Sequence, residues 1–145
     1  MQKQLVINKK AKFDYEFIDE LTAGVVLQGS EVKAIRGGKA HLKDSFCYFK
    51  ENELYSNFHI SETNLPQHQN HDPIRPKKLL LTKKQLLKLQ KQVKEKGITI
   101  VPYRIVSNEK SLIKVILKIA RGKKQFERKN KILDKDIQRE MNMID

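Results

Sequence analysis

From Tyr15 onward the chain sets an apolar residue at almost every second position. Tyr15, Phe17, Leu21, Ala23, Val25 and Leu27 alternate with Glu16, Glu20, Thr22 and Gln28, and Asp19 is the one polar residue in the apolar register. Phe13, Phe17 and Leu21 also fit a helical stripe, but the longer alternation predicts a long strand with one face on a core. "SFCYFKENELYSNFHI" predicts two aromatic-rich strands around a turn at Glu51 to Glu53. "ITIVPYRIV" and "SLIKVILKIA" predict two β-branched strands joined near "SNEK". Two helices separate these strands. "GSEVKAIRGG" has Ser30 to cap it, Glu31 in its first turn, and Gly37 and Gly38 to end it. In "TKKQLLKLQKQVKEKG", Thr82 and Gln85 have capping-box spacing and Gly97 supplies the stop. Leu86, Leu89 and Val93 form its inward stripe, while Lys84, Lys88 and Lys91 share another face. The polar stretch "SETNLPQHQNHDPIRP" is long for a passive connection. Short antiparallel strands with small helices predict a mainly β chain, an OB-like closed antiparallel β-barrel with flanking short α-helices. At 145 residues the chain has room for one such core.

Charge narrows the function. Thirty Lys and Arg face 17 Asp and Glu, a formal +13 with a pI near 9.8, and such self-repulsion points to a polyanionic partner. Nucleic acid leads, because neutralising phosphates releases condensed counterions. An anionic membrane surface competes, but no stretch approaches the ~20 apolar residues of a span. "MQKQLVINKKAK" lacks the apolar core of a signal peptide, so a cytoplasmic chain is expected. Cys47 is the single cysteine, which excludes an internal disulfide.

Three basic stretches are candidates for RNA contact. Between Arg75 and Lys96, nine basic side chains (among them Arg75, Lys77, Lys78, Lys84, Lys88 and Lys91) face only Glu95. A merely solvated helix would mix in Glu to gain i,i+4 pairs, and Pro73 and Pro76 stiffen the loop that presents Arg75, Lys77 and Lys78. "NKKAK" adds Asn8, Lys9 and Lys10. From Arg121 to Lys131, six basic residues and one strongly apolar one, Phe126, predict a tail that is disordered when free and helical when docked. Basic side chains around an exposed aromatic suit phosphate tracking with base stacking. The chain thus divides into a barrel, residues 1–120, and a basic tail, residues 121–145. His59, His68 and His71 with Asp72 have no Cys or Glu to complete a zinc set, and no nucleophile elbow or phosphate loop is present. His59 is read as a strand residue, and His68 and His71 as making loop hydrogen bonds. No catalytic residue, metal or cofactor is expected.

"NKKAKFDYEFIDELTAGVVLQGSEVKAIRGGKAHLKDS", "NHDPIRPKKLLL", "VKEKGITIVP" and "ARGKKQFERK" together resemble, in register over nearly the whole chain, the bacterial small protein B family that binds transfer-messenger RNA (tmRNA). The resemblance implies an OB-like barrel that binds the tRNA-like domain of tmRNA. It implies delivery of that RNA to the A site of stalled ribosomes for trans-translation, with the tail in the mRNA channel and decoding centre against 16S rRNA. On that likeness Asn8, Lys9, Glu31, Lys33, Arg36, His71, Arg75, Lys77 and Lys78 face tmRNA. Arg121, Gly122, Lys123 and Lys124 lead into the tail, with Phe126, Arg128, Lys129 and Lys131 beyond. Thr22 stands where the family often has Glu, and Asp134, Asp136, Glu140 and Asp145 make the end more acidic than in many relatives. A monomer is expected. Two other classes share parts of the pattern: a structural ribosomal protein with a penetrating tail, and an RNA-processing enzyme using His71 and Asp72.

Overall fold

A computed structural model of the chain describes residues 3–122. Its elements in order are β1 (Lys3–Ile7), α1 (Ala11–Asp14), β2 (Tyr15–Val25), α2 (Gly29–Arg36), β3 (Ala40–His41), β4 (Cys47–Lys50), β5 (Glu53–Ser56), β6 (His59–Ile60), β7 (Lys77–Leu80), α3 (Lys83–Val93), β8 (Ile98–Ser107) and β9 (Ile113–Gly122). A short 3₁₀ turn, Gln67–Gln69, interrupts the long loop. Lys123, Lys124, Phe126, Arg128, Lys129 and Lys131, and with them the expected order and helicity of the tail, lie outside the described residues.

The alternating segment is the strand β2, with Glu16, Ile18, Glu20 and Thr22 exposed and Ala23 fully buried. The aromatic pair β4 and β5 is a hairpin whose turn places Glu51 (φ 52°) and Asn52 (φ 66°) both in the left-handed region. That is the backbone of a type I′ turn, whose twist matches the strands it joins. Among the described residues every strand pairing is antiparallel. The main sheet runs β1–β8–β4–β5–β7–β2–β9, and β9 pairs again with β8 from Ile98↔Arg121 to Ser107↔Ile113. Six strands are therefore joined in a circuit of hydrogen-bonded neighbours, with β1 appended outside it. Gly24 sits where β2 meets both β7 and β9, opposite Leu80 and Lys114. A Cβ there would lie 3.2 Å from the Cβ of Leu80, so the junction needs the missing side chain.

The main core gathers Leu54, Ile60, Leu79, Leu89, Ile100, Leu117 and Ile119 from the strands and α3, with Phe58 from the link between β5 and β6 and Ala34 and Ile35 from α2. A smaller core holds Val101, Tyr103 and Ala120 with Ala11 of α1, and Phe17 meets Tyr103 edge-on at 5.2 Å. Neighbouring residues of β8 and β9 point to opposite faces, so these two strands are buried on both sides. The long loop is shaped by Asn70. Its amide donates to the carbonyls of Thr63 (2.8 Å) and Leu65 (3.1 Å), and its Oδ1 accepts from the backbone N–H of Thr63 (3.1 Å) and His71 (3.2 Å).

Three expectations need correction. Ser30 is not the cap of α2: the helix starts at Gly29, Gln28 is its N-cap, and the Gln28 N–H donates to Glu31 Oε1 at 2.7 Å. β9 also continues past residue 120, carrying Arg121 and Gly122 into pairing with Glu16 and Tyr15. The third concerns Lys77, expected to face RNA. Strand alternation turns Lys77 and Leu79 inward and leaves Lys78 and Leu80 outward, so Lys77 has no exposed surface. Its ammonium donates to the carbonyls of Phe58 and Pro73 and lies 4.9 Å from the Phe58 ring centroid.

Burial pulls the Lys77 ammonium down from 10.5 to about 8, partly opposed by Glu31. Between those two values the unfolded chain binds more protons than the folded one, so this group makes stability rise with pH across that window. Compared with Lys77→Met, the unfolding free energy of the native chain is expected to gain about 3 kcal/mol from below pH 8 to above pH 10.5. Denaturant titrations of both chains across the window check it; a pH-independent difference refutes it.

Candidate nucleic-acid interface

Glu31 organises one side of the molecule. Its carboxylate has no exposed surface and accepts from three donors. Arg75 binds it through two donors, Nε to Oε2 at 3.1 Å and Nη2 to Oε1 at 2.6 Å, beside the N–H of Gln28. Such two-point pairing fixes both planes. The same guanidinium also donates to the carbonyls of Pro76 (3.2 Å) and Val26 (3.3 Å). One residue therefore ties the start of α2, the end of β2 and the proline-stiffened loop into a unit.

A second tie lies behind it. His71 is buried, and its Nε2 faces the Ile60 carbonyl at 3.0 Å, so that nitrogen carries the hydrogen. Its Nδ1 meets the Ser30 hydroxyl at 2.7 Å. In the neutral ring the hydroxyl donates to Nδ1, which explains why Ser30 is unavailable as a helix cap. Asn8 acts likewise near the N-terminus: its buried amide donates to Leu42 O (3.2 Å) and Pro102 O (3.3 Å). Glu31 and Lys77 have no exposed surface, and His71 and Asn8 keep 6% each. All four were expected to face RNA, and all four are instead buried against other parts of the chain.

The remaining cations are outside. Lys9, Lys10, Lys33, Arg36, Lys84, Lys88 and Lys91 are exposed, and Lys78 is half-buried. Several are lightly engaged. Arg36 donates to the Ser111 carbonyl at 2.5 Å, Lys88 lies 3.8 Å from Asp19, and Arg121 lies 3.8 Å from Glu95. Lys78 pairs with Glu53 at 2.5 Å, which raises its ammonium further. Exposed pairs of this kind are weak enough to be exchanged for phosphate.

Tertiary structure also brings together residues that the sequence analysis did not single out. Lys9 and Lys10 join His41 and Lys43 around a recess of about 320 Å³ floored by Ile7 and Leu42. His41 stacks on His59 with ring centroids 4.5 Å apart and planes within 8°. Burial, then His41, Lys77 and His71, hold the His59 imidazole below its usual range. No periodicity could have paired residue 9 with residue 43; the pairing needs Asn8 to anchor the Leu42 turn. Among the described residues no group of three metal-ligating side chains is assembled, and no helix is long and apolar enough to cross a membrane.

Comparison with known proteins places this arrangement. The family model for SmpB protein matches residues 5–144. The SsrA-binding protein of Phocaeicola vulgatus is 50% identical over 138 residues, covering 94% of this chain and 92% of that one. Its counterpart in Bacteroides thetaiotaomicron is 49% identical over 135 residues, 92% of this chain and 90% of the other. That of Thermosipho africanus is 41% identical over 145 residues, 97% and 95%. A solved structure described as "tmRNA-SmpB: a journey to the center of the bacterial ribosome" superposes with a TM-score of 0.69 at 42% identity, covering 82% of this chain and 84% of that one. With the family model matching residues 5–144 and relatives about half identical over nearly the whole chain, the chain belongs to the SmpB family of SsrA-binding proteins.

Proposed function

We propose that this chain binds the tRNA-like domain of tmRNA and delivers it to the A site of stalled ribosomes for trans-translation, acting in the cytoplasm as a non-catalytic factor. The match to the SmpB family over residues 5–144 carries the assignment. The circuit of six paired strands supports an OB-like closed barrel as the scaffold. On that scaffold the exposed Lys9, Lys10, Lys33, Arg36, Lys78, Lys84, Lys88 and Lys91 take phosphates, and the outer edge of Arg75 joins them. Glu31, His71, Asn8 and Lys77 act as positioning residues. The residues beyond Gly122 serve as the ribosome-binding tail, with Phe126 stacking in the decoding centre. A rigid cationic face suits a folded RNA elbow, which offers backbone, 2′-hydroxyls and unstacked loop bases rather than a readable groove.

Neutralising ~6 phosphates gives log affinity against log salt a slope of about −4 to −5. Titration of labelled tmRNA against tRNA competitor at several salt concentrations is expected to show that slope and a preference for tmRNA; equal affinity for both RNAs refutes the assignment. Bracing and contact separate by mutation. Glu31→Gln removes one arm of the Arg75 pair and costs about 2 kcal/mol of stability, less than a fully buried pair because Arg75 is 28% exposed. Changing Lys84, Lys88 and Lys91 together to Gln flattens the salt slope by about 2 to 3 units and leaves the melting temperature in place. Melting curves alongside binding isotherms distinguish the two effects. Truncation after Gly122 is expected to preserve tmRNA affinity while abolishing peptide tagging in a stalled-ribosome translation assay. Equal losses in both would show that barrel and tail do not divide the work.

A further inference from the structure

Next to the cationic recess lies a second one of about 240 Å³, which shares Asn8 and Lys10 with it. Ala11 and Val101, 2% and 1% exposed, form an apolar floor. Tyr15 and Phe46 supply aromatic rings, and Asp44 with Asp14 supplies carboxylates. The volume is below the ~300 Å³ at which sites for drug-sized ligands begin, and is on the scale of one nucleobase.

Carboxylates are a poor choice for holding a polyanion, since they repel phosphate. They suit a group that donates hydrogen bonds. Guanine alone among the RNA bases offers two adjacent donors on one edge, N1–H and the N2 amino group, which match the two oxygens of a single carboxylate. Lys10 at the same recess supplies a donor for O6 or a flanking phosphate.

The Phe46 wall is also one end of a row of rings. Phe46 is 47% exposed, and its N–H donates to Asn57 Oδ1 at 3.1 Å. Its ring centroid is 5.9 Å from that of Tyr48, which lies 6.1 Å from Tyr55 with planes 24° apart. Tyr48 faces Tyr55 across β4 and β5, and Tyr55 faces Lys78 across β5 and β7. Outward positions of a solvated antiparallel sheet are ordinarily polar. Rings in series ending on a cation are instead a platform for successive unpaired bases.

We infer that the recess bounded by Tyr15, Phe46 and Asp44 takes an unpaired guanine of the bound RNA, with the adjoining bases stacked on Tyr48 and Tyr55. The inference rests on the RNA-binding assignment above and adds a base preference to it.

The test uses the full chain and labelled single-stranded oligouridines of about nine nucleotides, with the central base left as U or replaced by G, A or C. Fluorescence anisotropy is expected to give the G-containing oligomer roughly five-fold or more tighter binding, the scale of one bidentate base contact. Asp44→Asn should erase that preference without weakening the all-U oligomer, whose binding loses a repulsive charge, and Tyr48→Ser should weaken all four alike. Should Asp44→Asn fail to fold, NMR of the native chain replaces it, with G-dependent shifts expected at Tyr15, Asp44 and Phe46. Equal affinity for all four oligomers, a preference that survives Asp44→Asn, or shifts elsewhere overturns the inference. Selective tmRNA binding without guanine preference sinks the slot and spares the function; guanine preference without selectivity for tmRNA over tRNA does the reverse.

Discussion

A carboxylate with no exposed surface, in a chain with a surplus of thirteen positive charges, is the constraint on which the cationic face depends. Removing Glu31 from water is tolerable only because Arg75 grips it at two points and Gln28 N–H caps it. Gln28 is a near neighbour, but Arg75 comes from a loop 44 positions further along the chain. The pair therefore does more than neutralise a charge: it fixes the loop after Asn70 against α2 and the end of β2. Released from it, that loop would keep its prolines, Asn70 and the His71 tie to Ser30 and Ile60, but would lose the contact that sets Arg75 against the start of α2.

The same logic divides the cations into two populations. Lys77 is drawn inside by strand alternation, where two carbonyls and an aromatic face compensate its charge and burial lowers its proton affinity. Lys84, Lys88 and Lys91 stay on the outer face of α3 because Leu86, Leu89 and Val93 take the inner one. A cation inside lends rigidity, whereas a cation outside is the one that the proposed function assigns to phosphate. Counting both as phosphate contacts would overstate the salt dependence of binding. Lys118 shows an intermediate case, half-buried over the rings of Phe17 and Tyr103 while paired with Glu20 at 2.6 Å.

The elements legible in the sequence were those whose signal is local. The β2 alternation, the type I′ hairpin around Glu51 and Asn52, the Thr82–Gln85 capping box and the β-branched β8 and β9 all appear where periodicity and turn chemistry put them. Strands β1, β3 and β7 were not legible as strands, and β6 was read as part of the strand before it. Each is two to five residues long, and each is a strand only because a distant partner completes it: β1 by β8, β3 by β6, β7 by β5 and β2. The site divided in the same way. Basic runs foretold the exposed lysines, whereas the burial of Asn8, Glu31, His71 and Lys77 could not be read from a pattern, because each depends on carbonyls or side chains many residues away. Ser30 is the sharpest instance, a residue with every local mark of a helix cap whose hydroxyl is claimed by a histidine 41 positions on.

This distribution of roles follows from what a folded RNA demands. Phosphates on an elbow lie at fixed separations, so a protein that recognises the shape must hold its cations at matching separations before contact, or lose in ordering what it gains in charge. Flexible lysines cannot do that alone. Their backbones must be anchored, and the anchors must be groups whose hydrogen bonds are fully enclosed, since an exposed brace would exchange with water or with the RNA itself. Asn8 below Lys9 and Lys10, Glu31 two residues before Lys33, and Lys77 immediately before Lys78 all fit that requirement: in each case a buried polar residue fixes the turn, helix or strand from which an outward-facing cation projects. A sequence motif that mixes such residues therefore records two functions at once, and only the burial of each side chain separates them.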